Sequence, residues 1–323
     1  MEANQMNKRT IPCLFGILSL ISLSSITFAG NEQYPKLSEG TVVIRGDSGK
    51  WDYNKAHTLS VVEANKDGYK YWGYYGLSYY DGDPALRKAG LARSNDLVHW
   101  DKYEGNPIIK SDCRWPNVIL HHSVYYMFYA EYDADNDSRI VMVTSKDGIN
   151  FGNKVVVVER ELFKQNQNPF IFLNKRDGYF YLAYYNGVEK SKDSTKNIWQ
   201  IKLRKGKTIG KLKTAPSKTL LSSDYTIASP SITYFNKKYY LLIEAIKKGK
   251  WNSQWVTLAY ESKTIGGKYK EVSNNPVLAN NDACAFQHVF NNQLYIFYSH
   301  CLDTAKVGAL MPDWEEKMVK EIQ

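Results

Sequence analysis

The sequence contains little cysteine and histidine, and it has no long apolar run beyond its first thirty residues. The 323-residue chain has four cysteines and six histidines, and no group of them follows the spacing of a zinc site. After residue 30, no segment is apolar enough to span a bilayer. The net charge of +9 comes from many isolated lysines, without a basic groove that interleaves aromatic residues. These absences argue against a zinc protein, a membrane-embedded protein and a nucleic-acid-binding protein.

The first 29 residues are typical of a secretory signal peptide. The basic pair Lys8-Arg9 precedes an apolar run over residues 11–23, and a small-residue cleavage site follows at residues 27–29. The apolar run is too short to span a membrane comfortably, but an uncleaved membrane anchor is the alternative. We therefore predict cleavage after Ala29, a single mature domain over residues 30–323, and a secreted or periplasmic protein without membrane insertion.

Three cysteines fall in the predicted mature domain: Cys113, Cys284 and Cys301. An oxidising compartment permits disulfides, and Cys284 and Cys301 flank one predicted hairpin. A bridge between these two and a pair of separate thiols both stay open. Cys113 is then expected to be buried rather than reactive.

Five aromatic clusters recur along the chain at an almost constant interval. Self-similarity at a fixed period is the signature of a repeat architecture, and each cluster is rich in strand-forming residues and lies after a turn signal. The pattern predicts an all-β, five-bladed β-propeller in which each blade is a four-stranded antiparallel sheet. Aligned on one tyrosine each, the clusters are centred on Tyr71, Tyr126, Tyr181, Tyr240 and Tyr295, with steps of 55, 55, 59 and 55 residues.

The fifth repeat lacks a regular outer strand. Its first three strands are predicted at residues 283–290, 293–301 and 306–310. The segment 41–44 is one candidate for closing the ring, and the C-terminal segment 317–322 is another. Either would cover an edge that otherwise invites aggregation.

Two phrases are more specific than the repeat. Residues 92–100 and 144–151 both contain the order Ser, any residue, Asp, three further residues and an aromatic residue. The Asp is expected to cap a tight turn, and the aromatic residue is expected to pack between blades. The phrase at residues 106–109, Asn-Pro-Ile-Ile, returns at residues 275–278 as Asn-Pro-Val-Leu.

These phrases resemble the five-bladed propeller glycoside hydrolases, the group that contains family 43 and the related families 32, 62, 68, 117 and 130. The resemblance covers all five repeats. It implies a propeller that hydrolyses glycosidic bonds, with catalytic acids near the start of the first strand of a blade, around the central funnel. It also implies a carbohydrate substrate.

At the positions that the resemblance marks, the sequence carries amides instead of acids. Residues 114–118 resemble the phrase Trp-Ala-Pro-Asp-Val, with Asn117 in place of the acid, and residues 167–169 resemble Glu-Gly-Pro, with Gln167 in place of the acid. Residues 55–58 replace an Asp-Pro pair in the first blade. Amide side chains neither donate nor abstract the protons that hydrolysis requires.

Other acids remain on the predicted rim of the funnel. Glu244 lies within an apolar strand, which predicts a raised pKa and suits a general acid. Asp224 and Asp282 also precede first strands, but a single Asp there is usually a turn former. The predicted catalytic residues are Asp52, Asp112, Glu131 and Glu244.

The remaining polar and aromatic residues of the rim are candidates for binding sugars. No cofactor is expected, although the acidic run 133–137 leaves a structural calcium ion open without matching a full calcium loop. We expect a monomer. The net positive charge indicates a solvated basic surface or, more sharply, a weak preference for anionic glycans. The predicted substrate-binding residues are His57, Arg114, Trp115, Asn117, Gln167, Asn168 and His300.

The leading interpretation is a glycoside hydrolase that acts on an extracellular or periplasmic oligosaccharide or polysaccharide through a carboxylate pair in the central funnel. The alternative is a non-catalytic glycan-binding propeller that has lost its acids. A glycosyl-transferring or phosphorolytic relative is a third interpretation, against which the lack of an obvious convergent Arg/His phosphate site argues.

Overall fold

The computed structural model describes residues 32–53, 55–77, 84–110, 112–132, 137–161, 164–188, 198–302 and 313–322. Residues 31–323 form one compact unit. The predicted signal peptide therefore lies outside the described residues. Within the described ranges, no helix has the length and apolarity needed to cross a bilayer.

The described residues form twenty strands, grouped by antiparallel pairing into sets of four. The first sheet contains β2 (Ala56–Lys66), β3 (Tyr69–Leu77), β4 (Ala89–Ser94) and β5 (Asp101–Lys102). The second set contains β6 (Arg114–His121), β7 (Val124–Tyr132), β8 (Ser138–Ser145) and β9 (Gly152–Val158). The third contains β10 (Lys164–Asn174), β11 (Tyr179–Val188), β12 (Ile198–Gly206) and β13 (Lys218–Ser223).

The fourth sheet contains β14 (Thr226–Phe235), β15 (Lys238–Ile246), β16 (Val256–Ser262) and β17 (Lys270–Glu271). The last contains β18 (Asp282–Phe290), β19 (Gln293–Cys301), β20 (Trp314–Lys320) and β1 (Thr41–Ile44), in that order. A single parallel bridge, between Gln165 and Ser138, joins the second and third sets into one eight-stranded sheet. Short 3₁₀ turns occupy Pro84–Leu86, Ile209–Lys213 and Trp251–Ser253.

The five aromatic clusters form the second strand of every set: β3, β7, β11, β15 and β19. Each second strand lies between two others, and its aromatic and aliphatic side chains are mostly buried. Six of these side chains are completely buried: Trp72, Tyr74, Phe128, Leu182, Leu242 and Phe297. The repeat in the sequence is therefore a repeat of buried central strands, as predicted.

Both strand candidates for closing the last sheet are used. The C-terminal strand β20 pairs with β19, and the N-terminal strand β1 pairs with β20, with Thr41 opposite Met318. The sequence offered these segments as competitors, but they are the third and fourth strands of one sheet. The predicted third strand at residues 306–310 lies outside the described residues.

The Ser-x-Asp turns behave as predicted. Asp96 Oδ1 accepts hydrogen bonds from the backbone N–H groups of Val98 (2.9 Å) and His99 (2.8 Å). Asp147 Oδ1 does the same for the N–H groups of Ile149 (2.9 Å) and Asn150 (2.8 Å). Each carboxylate thus satisfies backbone donors that the tight turn would leave unpaired.

The aromatic residue that follows each of these turns packs against a neighbouring sheet. The ring of Trp100, after the first sheet's turn, contacts Phe297 of the last sheet edge-on at 6.2 Å. The ring of Phe151, in the second set, contacts Tyr74 of the first sheet at 6.0 Å. Both contacts are of the favourable T-shaped kind, and they tie consecutive sheets together.

The two Asn-Pro phrases also have one structural role. Asn106 Oδ1 accepts from Leu91 N at 2.8 Å, and its Nδ2 donates to Leu91 O at 2.9 Å. Asn275 makes the same pair of bonds with Ala259, at 2.8 and 2.9 Å. Both amides therefore close the outer edge of a sheet by imitating the backbone of a missing partner strand.

The first strands β2, β6, β10, β14 and β18 share two features. Their later residues line one cavity of about 880 Å³, so we call them the inner strands. Near its start, every inner strand has a β-bulge, where the register with the second strand shifts. The bulge residue has a positive φ of 48° to 65° in each case: Thr58, Trp115, Asn168, Ser229 and Cys284.

Three of the five inner strands, β6, β10 and β14, begin three to five residues before the mainly apolar run that marks each of them in the sequence, which starts at Val118, Pro169 and Ser229. A proline directly follows the bulge residue in these three strands. Proline normally marks a strand edge or a bulge, and here it marks a bulge inside the strand. The candidate residues Arg114 and Gln167 consequently lie in strands.

Candidate functional site

The bulges lie at the opposite end of the inner strands from the large cavity, and we call this the bulge end. A chain of buried hydrogen bonds connects three bulge residues there. Asn168 Nδ2 donates to Ser229 Oγ at 2.8 Å, and Ser229 Oγ lies 3.2 Å from Cys284 Sγ. Because β-bulges re-aim side chains, residues of three different inner strands meet at this end.

Glu244 is the last member of this series of hydrogen-bonded side chains. Its side chain comes from β15 and is only 8% exposed, and its Oε2 accepts from Cys284 N at 3.0 Å and Sγ at 3.1 Å. Burial raises the pKa of Glu244, and the hydrogen bonds from Cys284 and Ser229 offset part of that rise. The direction agrees with the prediction from its apolar strand, and it favours a protonated carboxyl.

Cys284 and Cys301 do not form a disulfide. Among the described residues the three cysteines, including Cys113, are buried thiols. Cys284 occupies the bulge, where its thiol faces Glu244, whereas Cys301 lies opposite Trp314 in the last sheet. The bulge shifts the pairing of β18 with β19, so the two cysteines are not cross-strand neighbours.

A second buried carboxyl, Glu316 of β20, performs a similar role between the last sheet and the first. Its oxygens accept from Thr58 N (2.8 Å), Leu59 N (3.1 Å) and Ser299 Oγ (2.6 Å). Burial raises its pKa to about 8. We did not predict this residue, because the segment was considered only as a closing strand. The adjacent acids Glu315 and Glu316 inside a strand-like segment were the available signal.

Asp282 and His300 form a pair at the rim of the bulge end. His300 Nδ1 lies 2.7 Å from Asp282 Oδ1, and the two residues are opposite each other in β18 and β19. Burial raises the pKa of Asp282, while the hydrogen bond from His300 opposes the rise. Both side chains keep some exposure to solvent, 14% and 25%. The pair is therefore within reach of a bound molecule.

Two of the predicted catalytic acids, Asp52 and Asp112, are held by cations. Asp52 is buried, receives a hydrogen bond from Tyr75 (2.9 Å) and forms an ion pair with Lys102 (2.7 Å). Asp112 accepts from Arg87 Nη1 at 3.0 Å. Contacts of this kind indicate that both carboxylates belong to structural ion pairs.

The third, Glu131, is held by two cations at once. It pairs with Arg139 at 2.7 Å and also with Lys154. Burial raises its pKa, but the hydrogen bonds from Lys154 and Arg139 outweigh burial, so the pKa is lowered overall. A carboxyl in this state is a poor proton donor near neutral pH.

Arg114 and His57 lie close together at the bulge end. The guanidinium of Arg114 stacks over the rings of Tyr132 at 4.6 Å and Trp115 at 5.3 Å. Burial and the nearby Arg114 charge lower the pKa of His57 to about 3, so its imidazole is neutral. The ring of His57 also contacts Trp314 edge-on at 5.1 Å. These five aromatic and basic residues lie together at the bulge end.

The amides that replace acids have structural partners. Asn117 is buried and joins three inner strands, since its Oδ1 accepts from Ile171 N (2.8 Å) and its Nδ2 donates to Ser60 Oγ (3.2 Å). Gln167 Nε2 donates to Gln165 Oε1 at 3.0 Å. The side chain of Asn117 must accept one hydrogen bond and donate another, and an amide can do both. This accounts for an asparagine at this buried position.

The predicted residues thus separate into two groups. Seven of them lie on or beside the bulges, and His300 joins this group through Asp282. The seven are His57, Arg114, Trp115, Asn117, Gln167, Asn168 and Glu244. Asp52, Asp112 and Glu131 are each bound to a cation. Among the described residues, no cluster of three or more His, Cys, Asp or Glu side chains is arranged to hold a metal ion. The acidic run considered for calcium lies mostly outside the described ranges.

Comparison with known proteins identifies the architecture. No family model matches the sequence, and no curated protein matches it. Solved structures do match. A thermostable family-43 glycoside hydrolase is 18% identical, with 82% of this chain and 88% of that chain covered and a TM-score of 0.61. The chain has the fold of the propeller glycoside hydrolases.

Two further solved structures align with this chain over most of both lengths. The catalytic domain of a GH62 α-L-arabinofuranosidase from Coprinopsis cinerea is 12% identical, with 90% and 98% coverage and a TM-score of 0.63. An N-acetylgalactosamine deacetylase from F. plautii, in complex with blood group B trisaccharide, is 13% identical, with 90% and 94% coverage and a TM-score of 0.63. At such identities the likeness concerns the fold, and fold does not fix the reaction.

Proposed function

We propose that this protein is an exported glycoside hydrolase that binds its glycan at the bulge end of a five-bladed propeller. The five sets of four strands are its blades, and residues 1–29 are its signal peptide. The propeller hydrolases with this fold act on carbohydrates, and this likeness supports a carbohydrate substrate.

The observation that carries the proposal is that two carboxyls, each with a raised pKa, lie on either side of the bulge at Cys284. Glu244 contacts Cys284 directly, and Asp282 lies two residues before Cys284 on the same inner strand. Glycoside hydrolysis uses two carboxyl groups, one of which must hold a proton near neutral pH. In the proposed reaction Glu244 protonates the leaving oxygen as the glycosidic bond breaks, and Asp282, held by His300, takes a proton from the water that forms the new bond to the sugar.

A panel of aryl-glycosides and of plant and bacterial polysaccharides tests this assignment, with Glu244→Gln and Asp282→Asn beside the unsubstituted enzyme. Since general acid–base catalysis contributes about 10²- to 10⁴-fold, kcat/KM should fall by at least about 100-fold in each variant. The loss in Glu244→Gln should be smaller for aryl-glycosides with a good leaving group, because that group needs less protonation. Turnover that survives both substitutions would refute the assignment of the acids.

Glu261→Gln is a matched control. Glu261 belongs to β16 and pairs with Lys238 at 3.0 Å, away from the bulges. Its variant should retain the kcat/KM of the unsubstituted enzyme. A loss equal to that of Glu244→Gln would indicate a general loss of folding rather than of catalysis.

The second candidate is a non-catalytic glycan-binding propeller. The ion pairs of Asp52, Asp112 and Glu131 favour it, because they engage three of the four acids predicted to be catalytic. Saturable binding of a glycan without turnover by the unsubstituted protein would support this candidate. Release of sugar that depends on Glu244 would exclude it.

A further inference from the structure

Most of the net positive charge of this chain comes from one segment of the third set. Residues 198–223 contain seven lysine and arginine residues and no aspartate or glutamate. The whole chain has 42 basic and 33 acidic residues, so outside this segment 35 basic residues are balanced by 33 acidic ones. The segment forms β12, the 3₁₀ turn Ile209–Lys213 and β13. Because β13 and β12 are the last two strands at one side of their sheet, the excess charge lies at its outer edge.

Two apolar residues of the 3₁₀ turn place its lysines on the surface. Ile209 and Leu212 are buried, and they pack in one core cluster with side chains of β11 and β9. The turn therefore directs its other side chains to water. The exposed lysines of the segment, which we call the basic edge, are Lys205, Lys207, Lys211, Lys213 and Lys218.

Arg204 of β12 fixes the backbone that carries these lysines. Its Nη1 donates to the carbonyl oxygens of Val157 at 2.7 Å and Lys213 at 3.1 Å. Its Nε donates to Ser217 Oγ at 3.0 Å. These bonds join β9, the 3₁₀ turn and the residue before β13. The segment is thus ordered before any partner binds, which lowers the entropy cost of binding.

Three of the five lysines keep their charge free of acids. Lys205 forms an ion pair with Asp177 at 3.3 Å. No acidic side chain of the described residues pairs with Lys207, Lys211 or Lys213. A group of like charges on an exposed edge produces a positive potential that attracts anions and raises their association rate.

The basic edge lies at the cavity end of the third set, away from the bulges. Lys205 is opposite Tyr181 of β11, which is itself opposite Phe172, a residue that lines the cavity. Gln167, beside the bulge, is opposite Tyr185 near the other end of β11. A molecule bound along the basic edge would therefore leave the bulge end open.

We propose that the basic edge binds a linear anionic polysaccharide. Such a contact retains the protein on a charged glycan while the bulge end stays accessible. Lysine suits this partner, because its ammonium is a point charge on a flexible stem and adapts to successive charged groups of a polymer. The surface is separate from the proposed catalytic acids, so the inference does not depend on them.

The composition of the basic edge favours a polysaccharide over other polyanions. Membrane-surface segments combine basic residues with exposed large apolar ones, and residues 198–223 expose none. Single-stranded nucleic acids stack their bases on aromatic side chains, whereas the one aromatic residue of this segment, Trp199, packs against the core. The propeller hydrolases that share this fold also act on carbohydrates.

Calorimetry with a heparin oligosaccharide at several salt concentrations tests the inference, with dextran of similar length as the neutral probe. The triple variant Lys207→Gln/Lys211→Gln/Lys213→Gln should bind heparin at least about 10-fold more weakly at low salt. The slope of the logarithm of affinity against the logarithm of salt concentration should shrink by about 2 to 3, because each lost contact with a polyanion accounts for about 0.7 to 0.9. Arginine at the same three positions should restore the binding.

The matched control is Lys247→Gln/Lys248→Gln/Lys250→Gln, which removes the same charge from the loop after β15, at the bulge end. It should keep most of the affinity for heparin, and thermal unfolding should show that all variants are folded. Equal losses in the two glutamine variants would overturn the inference, because binding would then follow overall charge. Dextran binding as tight as heparin binding, or tighter binding of duplex DNA or phosphatidylglycerol vesicles, would also overturn it.

This inference and the proposed function can fail separately, because heparin binding is measured without turnover. Glycoside turnover that depends on Glu244, in a protein that does not bind heparin, would refute only the basic edge. Heparin binding that is lost in the basic-edge variant, in a protein that cleaves no glycan of the panel, would refute only the hydrolase.

Discussion

Replacing Glu316 with glutamine should change how the stability of the protein depends on pH. Glu316 is fully buried, and burial raises its pKa from 4.5 to about 8. Because the folded-state pKa lies above the ordinary value, folding favours the protonated carboxyl. The stability contributed by this group is therefore complete below pH 4.5 and is lost as the pH rises through about 8.

The size of the effect follows from the two pKa values. A folded-state pKa of about 8 against 4.5 corresponds to about 5 kcal/mol in total, of which about 3 to 4 kcal/mol is lost between pH 5 and pH 8. Glutamine does not titrate. Its Nε2 group must face one of the donors that Glu316 now accepts, Thr58 N or Leu59 N, which costs about 2 kcal/mol.

Glu316→Gln should consequently be about 2 kcal/mol less stable than the unsubstituted protein at pH 5 and about 1 to 2 kcal/mol more stable at pH 8. Guanidinium unfolding, followed by tryptophan fluorescence at several pH values, measures both quantities. Glu315→Gln is the matched control, since it removes the neighbouring carboxylate, which pairs with Arg45. Its stability loss should be equal at pH 5 and pH 8. Parallel pH profiles for Glu316→Gln and the unsubstituted protein would refute the reasoning.

Two further substitutions test how the sheets are joined. Asn117→Ala should lower the free energy of unfolding by about 1 to 3 kcal/mol, because the buried N–H of Ile171 loses its acceptor. Urea unfolding measures this loss. An unchanged unfolding midpoint would contradict the role of Asn117 in joining the inner strands. Gly148→Ala should also lower the free energy of unfolding by about 1 to 3 kcal/mol. Gly148 has a φ of +80°, and a Cβ atom there would lie 2.8 Å from the Trp72 ring. Gly178→Ala is the control, because Gly178 has a similar φ of +71° but a Cβ atom there would meet no atom within 4 Å. A smaller loss of stability in Gly178→Ala would show how much of the loss in Gly148→Ala comes from the steric clash.

Short-range features were predictable from the sequence. The turn at Asp96 and the edge closure by Asn106 each depend on residues within fifteen positions of one another. Their partners are therefore readable from spacing alone. The buried second strands follow from aromatic composition, which dominates cores.

Long-range partners were not predictable. Glu131 was a reasonable candidate for catalysis because carboxylates are rarely buried, but Lys154, which pairs with it, lies 23 positions away in an outer strand. Asp52 likewise meets Lys102 only through the folding of the first sheet. Glu316 reaches the bulge of the first sheet from the other end of the chain. The sequence repeat predicts which strands are the inner strands, but it does not predict which cation or hydrogen-bond donor will contact a given carboxylate.

The pairing of β1 with β20 constrains the order in which this molecule can be completed. Thr41 lies opposite Met318, so β1 has no partner strand until β20 has been synthesised. A chain that stops before β20 leaves two open edges, one on β1 and one on β19, and both invite pairing with other molecules. The synthesis of β20 therefore covers both edges in one step and protects the nascent protein from aggregation.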